Sequence, residues 1–91
     1  MLERGKFIAI YSEDVEMNFP DEVVHYIDEK FPLEDVELFY KLGRLKVREA
    51  TEQEKRLCYY AMEYLDQWNG IFVKEIDKLE KIFANNPEVN K

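Results

Sequence analysis

His25 and Cys58 are the side chains best suited to chemistry in this 91-residue chain, which contains one histidine and one cysteine. Four carboxylates lie three or four residues from the histidine: those of Asp21, Glu22, Asp28 and Glu29. On a helix, residues at these distances are surface neighbours. Nearby carboxylates favour the protonated imidazolium, which would make His25 a pH-sensitive group.

Glu22 and His25 also have the spacing of half a carboxylate-bridged di-metal site. Such a site needs two motifs of this kind and two further glutamates from other helices. The chain has no second histidine. The favoured interpretation is therefore a solvated acidic helix face, and we predict no metal and no cofactor.

Cys58 follows Lys55 and Arg56, which would stabilise a thiolate if the sulfur were exposed. However, it lies in residues 57–62, the most apolar stretch of the chain, where a buried packing cysteine is expected. The three glycines are isolated and Ser12 is the single serine, so phosphate-loop and nucleophile-elbow motifs are absent. We predict that the protein is not an enzyme.

The location expected from the sequence is cytoplasmic. A single cysteine cannot form an internal disulfide, so the framework of a small secreted protein is missing. The sequence contains no signal-peptide pattern, and no apolar run approaches the roughly 20 residues that a membrane span needs.

Residues 13–37 carry most of the negative charge. They contain ten carboxylates and one lysine, a net of minus nine, whereas the whole chain has a net charge of −7. A surface this acidic attracts basic proteins and repels nucleic acid and anionic membranes. The carboxylates predicted to bind a basic partner protein are Glu13, Asp14, Glu16, Asp21, Glu22, Asp28 and Glu29.

Two interpretations of this acidic segment stay open. Carboxylates at three- and four-residue steps on a helix stand about 5–6 Å apart, comparable with the roughly 3.4 Å between successive phosphates along one DNA strand. Such a surface would occupy the basic groove of a nucleic-acid-binding protein by mimicry of a polyanion. Alternatively, the charge serves solubility and docking only.

One basic cluster follows the acidic segment, interrupted by Glu49, Glu52 and Glu54. Its members are Lys41, Arg44, Lys46, Arg48, Lys55 and Arg56. We expect these side chains to pair with the acidic segment, within one chain or across a dimer contact, and not to bind nucleic acid directly.

The apolar pattern predicts a strand over residues 7–11, an acidic loop over residues 13–18, and a helix that begins near Pro20 and ends before Pro32. Residues 33–42 fit a helix ended by Gly43 better than a strand with a hairpin bulge. Residues 44–48 alternate and predict a second strand paired with residues 7–11.

The clearest helix start is a capping box formed by Thr51 and Glu54. Beyond it, apolar residues recur every three or four positions to Phe83, straight through the pair Asn69 and Gly70. Either this pair separates two helices, or one helix over residues 52–84 is about 50 Å long. A compact domain of this size is only about 30 Å across, so the favoured continuous helix would bury its far half against a second copy.

The apolar circumference of residues 57–62 also predicts a homodimer, because a helix that is apolar all round is buried all round. The predicted dimer contacts are Leu57, Ala61, Tyr64, Leu65, Trp68 and Phe72.

The predicted fold is α+β and mainly helical, with two or three helices, a long C-terminal helix and a short two-stranded antiparallel ribbon. Residues 1–86 are expected to form one small acidic domain, and residues 87–91 a frayed tail. The expected function is that of a non-enzymatic acidic protein, of the kind a phage or plasmid encodes, which inhibits or regulates a basic partner. The alternative is a structural homodimer or complex subunit.

Overall fold

A four-stranded antiparallel sheet organises the chain in the computed structural model, which describes residues 2–65 and 70–85. Two short 3₁₀ turns, Val15–Met17 and Val73–Glu75, lie in its connections. The strands and helices follow one another as β1 (Phe7–Tyr11), β2 (Val23–Tyr26), α1 (Leu33–Lys41), β3 (Lys46–Glu49), α2 (Glu52–Tyr64), β4 (Gly70–Phe72) and α3 (Ile76–Ala84).

The strands lie in the order β3-β1-β2-β4, so β1 and β2 form the centre and β3 and β4 the edges. Ala9 on β1 faces Arg48 on one side and Val24 on the other, and Val24 in turn faces Ile71. Side chains alternate across the sheet. These four residues therefore form one row on the same face.

Helices cover both faces of this sheet. On one face, Ala9 and Val24 belong to a core with residues of α2 and α3, among them Leu57 and Phe83. On the other face, Ile8 and Ile10 belong to a second core with Val36 of α1 and with the segments around it. The sheet is thus the middle of three layers, which explains why β1 reads as an almost continuous apolar run.

The predicted fold class is wrong in the extent of its sheet. The ribbon expected between residues 7–11 and 44–48 exists as the pairing of β1 with β3. It is half of the four-stranded sheet, however, because β2 and β4 add two further strands.

The helix predicted from Pro20 to Phe31 is also wrong, since this segment contains β2. The valines and isoleucine that suggested a helical face are β-branched and fit a strand equally well. Pairing with β1 and β4 decides between the two, because it satisfies the backbone of β2 on both sides. The residues of this segment alone do not reveal that β1 and β4 are available to pair with it.

The long helix predicted over residues 52–84 is wrong as well, because α2 and α3 are separate and α2, the longest helix in the described part of the chain, has 13 residues. The apolar phase continues across the break because α2 and α3 pack on the same face of the sheet. Between them, Phe72 pairs with Val23 in the sheet. Tyr60 and Phe83 meet across the two helices with ring centroids 5.3 Å apart, so the chain folds back on itself.

Other local predictions are confirmed. Helix α1 ends as expected near Gly43, whose φ of +77° favours glycine and whose N–H bonds to the carbonyl of Tyr40. The capping box of α2 is complete, because Thr51 accepts from the N–H of Glu54 and Glu54 accepts from the N–H of Thr51. The predicted tail, residues 87–91, lies outside the described residues.

Within residues 2–65 and 70–85, no helix combines the length and the apolar character needed to cross a membrane.

Leu57 and Leu38 allow the layer arrangement to be tested with one substitution at two sites. Leu57 is fully buried and Leu38 is 54% exposed. We expect Leu57→Ala to lower the free energy of unfolding by about 2–5 kcal/mol, and Leu38→Ala to change it by less than about 0.5 kcal/mol. Urea unfolding measures both, and comparable losses would contradict this arrangement of α1 and α2.

Candidate functional site

The acidic segment, residues 13–37, does not form one helical face. Its carboxylates lie on the loop before β2, in the turn after it and on α1. The regular row of charges expected over residues 21–29 is therefore absent, because that row required a helix. The carboxylates instead divide into those bound within the protein and those that face solvent.

Arg48 and Glu54 form the most buried ion pair. Two guanidinium nitrogens of Arg48, Nη1 and Nη2, donate to the two carboxylate oxygens of Glu54, each at 2.8 Å. Nε of Arg48 donates at 3.1 Å to Glu22. The Glu54 side chain is only 7% exposed, against 28% for Glu22 and 37% for Arg48.

The backbone explains why these three side chains meet. Glu54 is fixed in the first turn of α2 by the capping box, and Arg48 lies on β3 only six residues earlier. Opposite Arg48 stands Ala9, whose small side chain leaves room above β1. Glu22 precedes β2, on the far side of β1, so the arginine side chain crosses over β1 to reach it.

Charge pairing shifts the ionisation of this network. Hydrogen bonds from Arg48 lower the pKa of Glu54, although burial acts in the opposite direction. The same bonds from Glu54, followed by that to Glu22, raise the pKa of Arg48. Both groups are therefore charged at neutral pH.

A second arginine, Arg44, fixes the loop before β2 to the end of α1. Its Nε donates to the Asp14 carboxylate at 3.0 Å, and that carboxylate also accepts from the N–H of Glu16. Ser12 donates to the carbonyl of Arg44 and accepts from the N–H of Asp14. The bond from Arg44 is the main reason why the pKa of Asp14 is lowered.

Asp21 and Asp28 have structural contacts too. Asp21 pairs with Lys74 at 3.3 Å, next to the pairing of β2 with β4. Asp28 accepts from the N–H of Lys30, and its carbonyl accepts from Arg4. Together with Asp14 and Glu22, four of the seven predicted partner-binding residues therefore form hydrogen bonds or ion pairs within the protein. The expected pairing of the basic cluster with the acidic segment is confirmed for Arg44 and Arg48.

The remaining carboxylates of the acidic segment include four that are exposed and form no ion pair with any described residue. We call these four the unpaired carboxylates: Glu13, Glu29, Glu34 and Asp35. Glu16 is nearly as open, because its side chain is 88% exposed and lies 3.9 Å from Arg44.

The unpaired carboxylates lie at two ends of α1. Glu34 and Asp35 are in its first turn, and Glu29 precedes it closely. Glu13 stands beside Asp14, which binds Arg44 just beyond the last turn. Glu29, Glu34 and Asp35 are thus near the start of α1, and Glu13 is near its end.

His25 does not have the environment that the sequence suggested. It lies half-buried on β2, its Nδ1 is 2.7 Å from the carbonyl of Tyr26, and its ring centroid is 4.8 Å from that of Phe31. Burial lowers the pKa of His25, with the charge of Asp28 acting in the opposite direction. The prediction that the imidazolium form of His25 is stabilised is therefore wrong. It assumed a helix that would gather four carboxylates around His25, whereas His25 lies half-buried on a strand.

Cys58 is fully buried, as predicted, in the core between α2 and the sheet. Burial raises the pKa of its thiol to about 12. The described parts of the chain contain no cluster of three or more histidine, cysteine or acidic side chains suited to a metal ion.

The predicted dimer contacts separate into buried and exposed residues. Leu57 and Ala61 are fully buried against their own sheet, and Phe72 is half-buried in β4. Tyr64 and Leu65 remain accessible, with 51% and 36% exposure. Trp68 lies outside the described residues. The homodimer stays a prediction, but one of its two supports, a continuous helix too long for one domain, is gone.

Sequence reasoning missed the outer face of α1. Leu38 and Leu42 are 54% and 63% exposed, whereas Val36 on the inner side is buried. The two leucines are four residues apart and fall off the buried stripe, so they share one outward-facing side of the helix. This spacing is visible in the sequence, but it gains meaning only once Val36 is known to face the sheet.

Comparisons of the chain with family models, with curated proteins and with solved structures give no match.

The buried ion pair predicts a pH-dependent stability. We expect Glu54→Gln to lower the free energy of unfolding by about 2–4 kcal/mol, somewhat less than for a fully buried pair because Arg48 is partly solvated. The matched control is Glu49→Gln, which neutralises an exposed carboxylate next to Arg48 on β3 and should change the free energy of unfolding by less than about 0.5 kcal/mol.

The sign of the pH effect follows from the lowered pKa of Glu54. As the pH falls below about 5, the unfolded chain binds this proton first, so stabilisation by Glu54 is complete above that pH and disappears as the pH falls through the lowered pKa. Chemical unfolding between pH 7 and pH 3 should therefore show a smaller acid-induced loss in Glu54→Gln than in Glu49→Gln. Equal pH profiles would contradict this role of the pair.

Proposed function

We propose that this protein is a non-enzymatic binding domain that recognises a basic surface of another protein and thereby inhibits or regulates it. Support comes from the unpaired carboxylates, Glu13, Glu29, Glu34 and Asp35, which are exposed at the two ends of α1. Neighbouring acids in the same segment are bound within the fold, so charge that the fold does not require has been kept at the surface.

An acidic surface of this kind affects binding mainly through its long-range electrostatic attraction of positively charged molecules. Exposed ion pairs contribute only about 0–1 kcal/mol each. Unneutralised charge of one sign accelerates encounter with an oppositely charged partner, and this effect fades as salt screens it. The net charge of −7 acts in the same direction. The proposed partner is therefore a positively charged protein.

Polyanion mimicry is the narrower form of this proposal. Carboxylates divided between the two ends of α1 would contact two separate basic sites, so the mimic would be of spaced phosphates and not of a continuous row. A nucleic-acid-binding partner whose DNA or RNA competes with this protein would establish that form.

Two charge variants separate a functional acidic surface from general acidity. The first neutralises the unpaired carboxylates: Glu13→Gln, Glu29→Gln, Glu34→Gln and Asp35→Asn. The control neutralises four exposed carboxylates of β3, α2 and α3: Glu49→Gln, Glu52→Gln, Glu63→Gln and Asp77→Asn. Both variants change the net charge equally, and neither removes a partner of Arg44 or Arg48.

We expect the first variant to fold normally and to bind the partner recovered by affinity capture at least tenfold more weakly, by roughly 1.4 kcal/mol. The control should bind nearly as wild type, and the difference should shrink at high salt. Equal binding of wild type and both variants at every ionic strength would mean that the acidic surface serves solubility only.

The alternative function, a structural homodimer or complex subunit, makes a different prediction for the isolated protein. Of the predicted dimer contacts that the structure describes, Tyr64 and Leu65 are the exposed pair. Sedimentation equilibrium at tens of micromolar should then give a dimer that Leu65→Glu dissociates. A monomer under these conditions favours the binding domain.

A further inference from the structure

Helix α1 exposes apolar side chains on the side that faces away from the sheet. We define the α1 outer face by five residues: Glu34, Asp35, Leu38, Lys41 and Leu42. Leu38 and Leu42 are more than half exposed, and both side chains are stacked along the helix because they are four residues apart. Exposing two neighbouring leucines costs solvation free energy that a polar pair would avoid.

A shallow groove runs beside this face. Its lining includes Leu2 from the N-terminal segment and Tyr40 and Lys41 from α1, and its volume is about 460 Å³. Tyr40 is 39% exposed. The groove adjoins the α1 outer face at Lys41, and the ion pair of Lys41 with Glu37 separates its apolar lining from the two leucines.

Carboxylates lie at one end of these apolar side chains and in the groove beside them. Glu34 and Asp35 stand at one end of the leucine pair, and Glu3 and Glu37 line the groove. Two cations lie nearby: Lys41 is already bound to Glu37 at 3.1 Å, and Arg4, which lines a second groove with Glu34 and Asp35, donates to the carbonyls of Asp28 and Phe31. The surface thus combines two exposed leucines with the negative charge of Glu34 and Asp35 at one end, while Lys41 and Glu37 neutralise each other.

This charge pattern selects between two occupants. A second copy packed about Leu38 would bring the Glu34 and Asp35 carboxylates of both chains onto the same contact. Lys41, with Glu37 already bound, would offer little compensation. A basic segment gains from the same carboxylates instead, and protein interfaces commonly combine an apolar centre with a charged rim.

We infer that the α1 outer face docks a basic amphipathic helix of a partner protein, with apolar side chains against Leu38 and Leu42 and cations against the nearby carboxylates. Laying an amphipathic helix on an apolar surface is an established mode of peptide recognition. This inference rests on the proposed function, because it specifies the kind of basic partner and adds an apolar contact to the charge.

Two synthetic peptides of equal positive charge test the inference. One is an amphipathic helix of about 14 leucine and lysine residues, long enough to cover α1. In the other, serine replaces every leucine. Fluorescence anisotropy gives the affinity of each peptide for the protein, and amide chemical shifts of the wild type locate the contact without any variant.

We expect the leucine–lysine peptide to bind at least about tenfold more tightly than the serine–lysine peptide at equal salt, since it alone covers the leucines. Leu38→Ser/Leu42→Ser should abolish that difference while leaving binding of the serine–lysine peptide unchanged. The matched control is Ile82→Ser on α3, where a side chain 40% exposed is made polar in the opposite layer. It should bind both peptides as wild type does.

The outcomes separate this inference from the proposed function. Equal binding of both peptides by wild type, weakened by salt and by loss of the unpaired carboxylates, overturns the apolar docking site and leaves the proposed function standing. Binding of neither peptide counts against both. Loss of the tenfold difference in Ile82→Ser, or chemical shifts away from α1, overturns the site, as does a wild-type dimer that Leu38→Ser/Leu42→Ser dissociates.

Discussion

The bidentate contact between Arg48 and Glu54 fixes the edge strand β3 to the first turn of α2, and the further bond to Glu22 ties both to the start of β2. Glu54 begins α2, which supplies Leu57, Cys58 and Ala61 to one core, and Arg48 belongs to the edge strand β3. Because Glu54 is nearly buried, its charge is tolerated only with a partner in hydrogen-bonding contact. The further bond from Arg48 to Glu22 carries this constraint across β1 to the start of β2.

This constraint divides the negative charge of the protein into two kinds. Asp14, Glu22 and Glu54 are held by arginines, so changing them alters the fold before it alters any surface. Glu29 and Asp35 are exposed and form no ion pair with a described residue, so they can be neutralised without removing an ion pair that the structure describes. Net charge alone does not reveal this division, because it depends on which arginine reaches which carboxylate.

Features fixed by neighbouring residues were predictable from the sequence, and features fixed by distant contacts were not. The capping box of Thr51 and Glu54 and the end of α1 near Gly43 depend on a few adjacent residues, and both were predicted. Strand β2 depends on β1 and β4, so its Val23 and Val24 suggested a helix as readily as a strand. Similarly, the apolar residues of α2 and α3 keep the same helical periodicity because both helices pack on one face of the sheet. This continuous periodicity suggested a single helix and gave no sign of β4 between them. The sequence predicted that Arg44 and Arg48 would pair with acidic residues. It did not predict that Glu54 would be buried, because this depends on how α2 packs against the sheet.

A double-mutant cycle between Arg48 and Glu54 measures the central contact directly. Urea unfolding at pH 7 of wild type, Arg48→Gln, Glu54→Gln and the double variant gives their interaction free energy, free of the separate effects of each substitution. The structure predicts a stabilising coupling of at least about 1 kcal/mol, well above the few tenths expected for independent sites. A coupling within about 0.3 kcal/mol of zero would contradict the claim that this pair joins β3 to α2.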